Sequence, residues 1–271
     1  MDGKQKSVAA ITQELQNCSE EALIALCSNL RTDPRKSVQL LAEKAMKRLE
    51  KEKKELERVQ GMIDFEREIA GSTIYCGIDE AGRGPWAGPV VAGAVIIKDR
   101  HLDAFLLEGL DDSKKLSAKK REALYEKLFE AESRGQVVIG IGQASAEEID
   151  ALNILQATFL AMRRAVEALR EQPEAAIIDG NQNPKGFVCP CRTVVKGDAK
   201  SMSISAASIV AKVYRDRLMA ELALKYPFYA FEKNAGYGTK AHIEGLKQYG
   251  ITPEHRKSYR PIQEIMMQKA G

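Results

Sequence analysis

Asp79 and Glu80 stand side by side at the end of an apolar run, residues 74–78, and Gly82-Arg83-Gly84-Pro85 follows after one alanine. Adjacent carboxylates raise one another's pKa or recruit a cation. The turn adds one guanidinium, a bidentate partner for phosphate, and backbone amides that no side chain shields. Acids that hold a cation beside a phosphate cradle have the layout of a metal-dependent phosphodiesterase. Two more acids end apolar runs: Asp179 after 175–178 and Asp198 after 192–195. Strand ends on one edge of an α/β sheet are where such folds place their sites. Four oxygen donors meeting there suit a hard cation such as magnesium. Two such ions about 4 Å apart clamp the attacking and leaving oxygens of a phosphodiester. Each acid also has a plainer reading. Asp179 before Gly180-Asn181, and Asp198 after Gly197, are ordinary turn residues. That reading needs four unrelated turn acids at strand ends. Side chains alternate along a strand, so Asp79 and Glu80 cannot face one way while the strand continues. Glu80 is therefore expected where the chain bends away, as Gly82 and Gly84 permit.

Strands are expected at 74–78 and at 90–97, the second after Gly88-Pro89. A helix over 118–134 stops at Gly135, and a strand follows at 137–141. Ser145-Ala146-Glu147-Glu148 is a capping box. It opens a long helical region, with Ile149, Leu152, Leu155, Phe159, Met162, Val166 and Leu169 on one face, that runs to Pro173. Strands at 175–178 and 192–195 and a helix over 201–225 complete an α/β pattern. No helix separates the first two strands, which implies a mixed sheet.

Residues 1–70 differ. They hold a single proline, Pro34, and little glycine. Three helical segments fit them, the last opening at Thr32-Asp33-Pro34. Val38, Leu41, Ala45, Leu49 and Leu56 recur at a helical period. The opposite face, dense in Lys and Glu, reads as a solvated surface laced with i,i+4 pairs; contact with a nucleic-acid backbone is the sharper alternative. The expected division is a helical extension, 1–70, and an α/β domain, 71–271.

The chain has 271 residues, 44% hydrophobic and 29% charged, with a net charge of +3. Nucleic-acid binding would therefore rest on local patches, not on the global field. No run reaches the roughly 20 apolar residues that span a bilayer, and no signal-type apolar core follows Met1. A cytoplasmic setting is expected. The five cysteines form an odd set that suits reduced thiols. Cys189-Pro190-Cys191 lacks a second Cys pair or a nearby His, so a zinc site is not expected.

Taken in order, Gly77-Ile78-Asp79-Glu80-Ala81-Gly82-Arg83-Gly84-Pro85, Asp112-Ser113-Lys114-Lys115-Leu116, Ile178-Asp179-Gly180-Asn181, Lys196-Gly197-Asp198 and the stretch 205–216 resemble bacterial ribonuclease HII. Gly236-Tyr237-Gly238-Thr239, His242 and His255-Arg256 are similar too. The resemblance covers about residues 72–262. It implies a ribonuclease H-like fold: a five-stranded mixed sheet flanked by helices, then a helical C-terminal portion. It implies a metal-dependent endoribonuclease that uses Mg²⁺ or Mn²⁺. Such an enzyme cleaves RNA in RNA–DNA hybrids and 5′ to single ribonucleotides embedded in duplex DNA, and leaves 5′-phosphate and 3′-hydroxyl ends. Ribonucleotide removal and primer processing are the roles implied.

Carried over by motif, Asp79, Glu80, Asp179 and Asp198 are the metal-binding catalytic acids. Gly82, Arg83 and Gly84 are the turn that reads the ribonucleotide 2′-OH and a phosphate. Tyr237 packs on the next sugar, and Ser113 and Lys114 are expected to bind phosphate. A helical extension occurs in some Gram-positive members. Ribonuclease HIII, by contrast, has a strand-rich N-terminal domain and lacks the arginine at the position of Arg83. The 2′-OH is what distinguishes RNA from DNA at one position, and a glycine-rich backbone can approach it closely. Lys212 and Asp216 read most simply as an i,i+4 surface pair, with Lys212 reaching the nucleic acid as the alternative. His242 and His255 serve either backbone contact or structure. Trp86 serves either stacking or the rim of the core. Residues 263–267 bear a faint likeness to a sliding-clamp peptide. A monomer with no membrane association is expected. A non-catalytic hybrid-binding module is disfavoured because all four acids are present. A small-phosphate-ester hydrolase is disfavoured by the basic residues of the C-terminal portion.

Overall fold

A computed structural model of the chain describes residues 6–98, 109–110 and 116–270. They fall into two compact units, 1–61 and 62–271. In the first, Ser7 and Ser19 cap α1 (Val8–Asn17) and α2 (Glu20–Leu30) by accepting the amides of Ala10 and Ala22. Asp33 binds the Arg35 side chain and amide just ahead of α3 (Lys36–Ala70). Ile11, Leu15, Leu23, Cys27, Val38, Ala42 and Leu49 form the core of this unit. The cluster ends there. Leu56, expected on the apolar face, is 63% exposed; among the described residues the buried cluster does not reach it. The expected i,i+4 pairs are present as Lys54–Glu50 at 2.7 Å and Arg48–Glu52 at 3.5 Å, and Arg58–Glu55 at 2.6 Å adds an i,i+3 pair.

The second unit is built on a five-stranded sheet. Its strands are β1 (Tyr75–Ala81), β2 (Val90–Ile97), β3 (Val137–Ala144), β4 (Ala175–Asp179) and β5 (Cys191–Val194), in the order β3-β2-β1-β4-β5. β1 pairs antiparallel with β2 and parallel with β4, so the sheet is mixed, as expected. Its helices are α4 (Ala118–Ser133), α5 (Ala146–Leu152), α6 (Ile154–Glu167), α7 (Met202–Lys225), α8 (Phe231–Asn234), α9 (Lys240–Tyr249) and α10 (Arg260–Ala270).

Period-two alternation divides β1 between two helices. Cys76 and Ile78 join the buried cluster that includes Ala157, Ala161 and Met162 of α6. Gly77 and Asp79 face α7. A Cβ on Gly77 would stand 2.2 Å from the Ser203 carbonyl carbon, and one on Gly93 2.5 Å from the Ala207 carbonyl oxygen. Only glycine lets α7 lie this close to the sheet.

Three sequence expectations are corrected. The helical region opened at Ser145 breaks at Asn153, whose φ of 71° leaves the helix while its side chain caps α6. α6 then stops at Glu167, short of Pro173. β1 does not end before the acids. Pairing continues through Glu80↔Ala92 and Ala81↔Val91, so the chain turns only at Gly82. The Ser145 capping box is present as expected.

Candidate active site

Asp79 is 5% exposed, and its Oδ1 accepts the Glu80 amide at 2.7 Å. Ser208 of α7 also hydrogen-bonds its carboxylate. Burial raises the Asp79 pKa well above the ordinary carboxylate value, and the charges of Glu80 and Asp179 raise it further; the two hydrogen bonds oppose them. Asp179 closes β4, and its Oδ1 accepts the Gly197 amide at 2.7 Å. Asp198, the next residue, is buried in a 3₁₀ turn, Gly197–Ala199.

The turn after β1 shares one cleft with these acids. A cavity of about 320 Å³ is lined by Asp79, Glu80, Asp179, the residues of the Gly82–Gly84 turn, Arg121, Ser208, Lys212, Arg215 and Tyr237. Gly82 has φ +94°, and a Cβ there would meet Arg215 Nε at 2.0 Å. Arg83 is half exposed, with Nη1 3.4 Å from Glu80 Oε1. Tyr237 is 51% exposed, and its ring lies 3.4 Å from where a Gly84 Cβ would be.

The structure therefore brings Asp79, Glu80, Asp179, Gly82, Arg83, Gly84 and Tyr237 to one place. Asp198 is not among the lining residues; it is joined to the cleft through Gly197 and Asp179. Ser113 and Lys114 lie outside the described residues. Three acids in one cleft offer only hard oxygen donors, and their mutual repulsion suits a divalent cation. Among the described residues, no three Asp, Glu, His or Cys side chains are gathered tightly enough to hold an ion as they stand.

The model of the family described as ribonuclease HII matches residues 76–262. The chain belongs to the ribonuclease HII family. The model of the ribonuclease HII N-terminal domain matches residues 7–70, ahead of the catalytic match. Ribonuclease HII of Staphylococcus carnosus is 46% identical over 267 residues, covering 97% of each chain, so the likeness includes the helical extension. Among solved structures, ribonuclease H2 from Pyrococcus horikoshii OT3 aligns with a TM-score of 0.59 and 30% identity, over 72% of this chain and 97% of that one. Ribonuclease HII from Archaeoglobus fulgidus, solved in complex with PCNA, aligns at 0.54 and 27%, over 69% and 95%. The protein is thus a ribonuclease H enzyme of type HII, and the cleft at the end of β1 lies within the matched region.

Sequence reasoning missed several of the residues that build a ribonuclease HII cleft here. Arg121 reaches it from α4, with Nη1 donating to the Leu116 carbonyl at 2.5 Å. Ser208 and Arg215 line it from α7, within the stretch 205–216 that resembles the family but in which no sequence signal singles out either side chain. Lys212 keeps its pair with Asp216 at 2.7 Å and lines the cleft as well. His242 and His255 are fully buried. Their Nε2 atoms are 3.0 Å apart, His242 Nδ1 donates to the Tyr237 carbonyl, and His255 Nδ1 accepts the Thr252 amide. That pattern gives each ring one proton and a structural task. Trp86 packs against the C-terminal cluster, consistent with the rim of the core. All five thiols are free.

Proposed function

We propose that this cleft cleaves RNA within RNA–DNA hybrids, and DNA duplexes 5′ to single embedded ribonucleotides, leaving 5′-phosphate and 3′-hydroxyl ends. The observation that carries the proposal is the shared lining: three carboxylates and the Gly82–Gly84 turn open onto one cleft.

In this reading Asp79, Glu80, Asp179 and Asp198 hold Mg²⁺ or Mn²⁺ and are the catalytic acids. The bound cation supplies charge neutralisation at the scissile phosphate and lowers the pKa of water. Asp79, held by Ser208 and the Glu80 amide, presents a fixed oxygen. Its raised pKa reflects a charge that burial alone disfavours and that a cation would favour. Asp179 is fixed by the Gly197 amide, which ties the β4 end to the Asp198 turn. Gly82, Arg83 and Gly84 approach the ribonucleotide 2′-OH and a phosphate, and Tyr237 packs on the following sugar. Arg121 and Lys212, together with Ser113 and Lys114, supply phosphate contacts that position the backbone. Catalysis is then chiefly placement and electrostatics.

The enzyme is proposed to act as a cytoplasmic monomer in ribonucleotide removal and primer processing. No helix among the described residues is long and apolar enough to cross a membrane. Sliding-clamp binding would have to use the segment 263–267 of α10, where Met266 and Met267 are exposed. The experiment that tests the reading compares wild type with Arg83→Ala on two substrates, a duplex with one ribonucleotide and a long hybrid. The variant should lose more on the single ribonucleotide; equal loss on both rejects the assigned role of the turn.

A further inference from the structure

Two arginines, Arg215 and Arg256, lie behind the Gly82–Gly84 turn at 1% and 0% exposure. Among the described residues neither makes an ion pair with a carboxylate. A buried cation without an anion is costly unless its donors are all satisfied. Here backbone carbonyls satisfy them. Arg256 Nη2 donates to Gly82 O at 2.5 Å and Nη1 to Arg83 O at 2.9 Å, while Nε and Nη2 both reach Gly88 O. Arg215 donates to the carbonyls of Pro89, Ala87 and Ala235. Tyr259 completes the frame: its hydroxyl donates to Arg83 O at 2.6 Å and accepts from Arg256 Nη1 at 2.9 Å. Burial lowers the pKa of both arginines; Arg215 falls to about 10, with repulsion from Arg256 adding to the effect of burial. A guanidinium stays protonated in proteins at neutral pH.

The geometry of the peptide unit gives this frame a consequence. In a trans peptide the C=O and the following N–H point in opposite directions. With the carbonyls of Gly82 and Arg83 drawn onto Arg256 and Tyr259, the amides of Arg83 and Gly84 must point the other way. Neither amide donates to a backbone carbonyl among the described residues. The turn thus offers two unspent donors on the side away from the buried cations. Two fixed positive charges behind it add to the attraction for an anionic backbone.

We propose that Arg256, with Tyr259, is the positioning device that fixes the ribose-reading turn: it spends the carbonyls of Gly82 and Arg83 on the buried side so that the Arg83 and Gly84 amides are presented to the substrate's sugar and phosphate. Arg215 braces the same frame through Ala87 and Pro89, and its closeness to Gly82 explains why that position carries no Cβ. Arg256 acts through the turn and touches no substrate itself. This inference rests on the proposed function of the turn.

The test uses the full chain and the same two substrates, a duplex with one ribonucleotide and a long RNA–DNA hybrid. Wild type is assayed first. Failure to cut at the single ribonucleotide would count against the proposed function and not against the frame. Given that cut, Tyr259→Phe removes the hydroxyl's hydrogen bond to Arg83 O, and the one it accepts from Arg256, with little change of shape. It should lower kcat/KM on the single ribonucleotide about tenfold, the equivalent of one hydrogen bond, and lower it less on the hybrid. Arg256→Ala should lose about 100-fold or more on the single ribonucleotide, and millimolar guanidinium should restore part of that activity. A merely structural role would lower both substrates in proportion and would not respond to guanidinium. Proportional loss on both substrates in Tyr259→Phe, or an unchanged ratio, overturns the proposal. If Arg256→Ala does not fold, Tyr259→Phe alone decides.

Discussion

Glu66, in the last turns of α3, is 2% exposed, and its carboxylate is fully engaged. Oε1 accepts from the Ser201 hydroxyl at 2.5 Å and from the Ser203 amide and hydroxyl, each at 2.7 Å; Oε2 accepts from Tyr75 at 3.0 Å. Ser201 and Ser203 open α7, so an acid from outside the sheet domain's sequence motifs caps the helix that carries Ser208, Lys212 and Arg215. A carboxylate at a helix N-terminus also complements the helix dipole. Replacing Glu66 with Ala strands the Ser203 amide, whose acceptor is Glu66 Oε1, at about 1–3 kcal/mol. The three hydroxyls can turn elsewhere but lose charge-assisted bonds of about 0.5–1 kcal/mol each. The expected loss is about 3–5 kcal/mol, or roughly 6–20 °C in Tm at about 2–4 °C per kcal/mol. Glu66→Gln keeps an acceptor at Oε1 and should fall between wild type and Glu66→Ala. The chain has one tryptophan, Trp86, in the second unit, so urea unfolding followed by its fluorescence reads that unit directly. A loss below about 1 kcal/mol in Glu66→Ala, or a Gln variant as unstable as the Ala variant, would refute the reasoning from hydrogen-bond acceptance.

Two further outcomes follow from particular contacts. Burial lowers His255 from 6.5 to about 4, with repulsion from His242 adding to it and the Thr252 hydrogen bond opposing it. The folded state thus prefers the neutral ring. Its contribution to stability is complete above pH 6.5 and is lost as the pH falls towards 4, by about 3 kcal/mol at roughly 1.4 kcal/mol per pH unit. The chain has three histidines, so NMR titration can assign each imidazole; three rings titrating near 6.5 would contradict the buried neutral pair. Gly77→Ala drives a Cβ into the backbone of Ser203 and Ile204 at 2.2–2.3 Å. It should cost about 3 kcal/mol and depress cleavage by displacing Ser208 from Asp79; an unchanged Tm would mean that α7 is free to shift.

Much of the site was legible because it consists of acids at the ends of apolar runs. Asp79, Glu80 and Asp179 share a cleft for the reason that made them visible: strand ends on one edge converge. The mixed sheet followed from two apolar runs with no helix between them. What escaped notice depends on contacts distant in sequence. Arg256 reaches Gly82 across 174 residues, and nothing around it in the chain marks it as a support for that turn. Ser208 lies among the small residues 203–211 of α7, and Arg215 a turn beyond them; their partners, Asp79 and the carbonyls of residues 87, 89 and 235, are distant in sequence. Asn153 broke an apolar period that continues on both sides of it. Leu56 kept the helical period of α3 after its apolar partners had ended. Glu80 remained in the strand because pairing with β2 outlasts the apolar run by three residues, which the alternation argument did not allow for.

The central claim is that the acids at the end of β1 cut beside a ribonucleotide. Incubating wild type and Asp79→Asn with Mg²⁺ and an end-labelled duplex that contains one ribonucleotide, then mapping the ends and measuring binding, tests it most directly. Wild type should make a single cut 5′ to the ribonucleotide, with a 5′-phosphate on the downstream fragment. Asp79→Asn should bind the duplex without cutting it. Cleavage by Asp79→Asn at the wild-type rate, or a wild-type cut elsewhere, would contradict it.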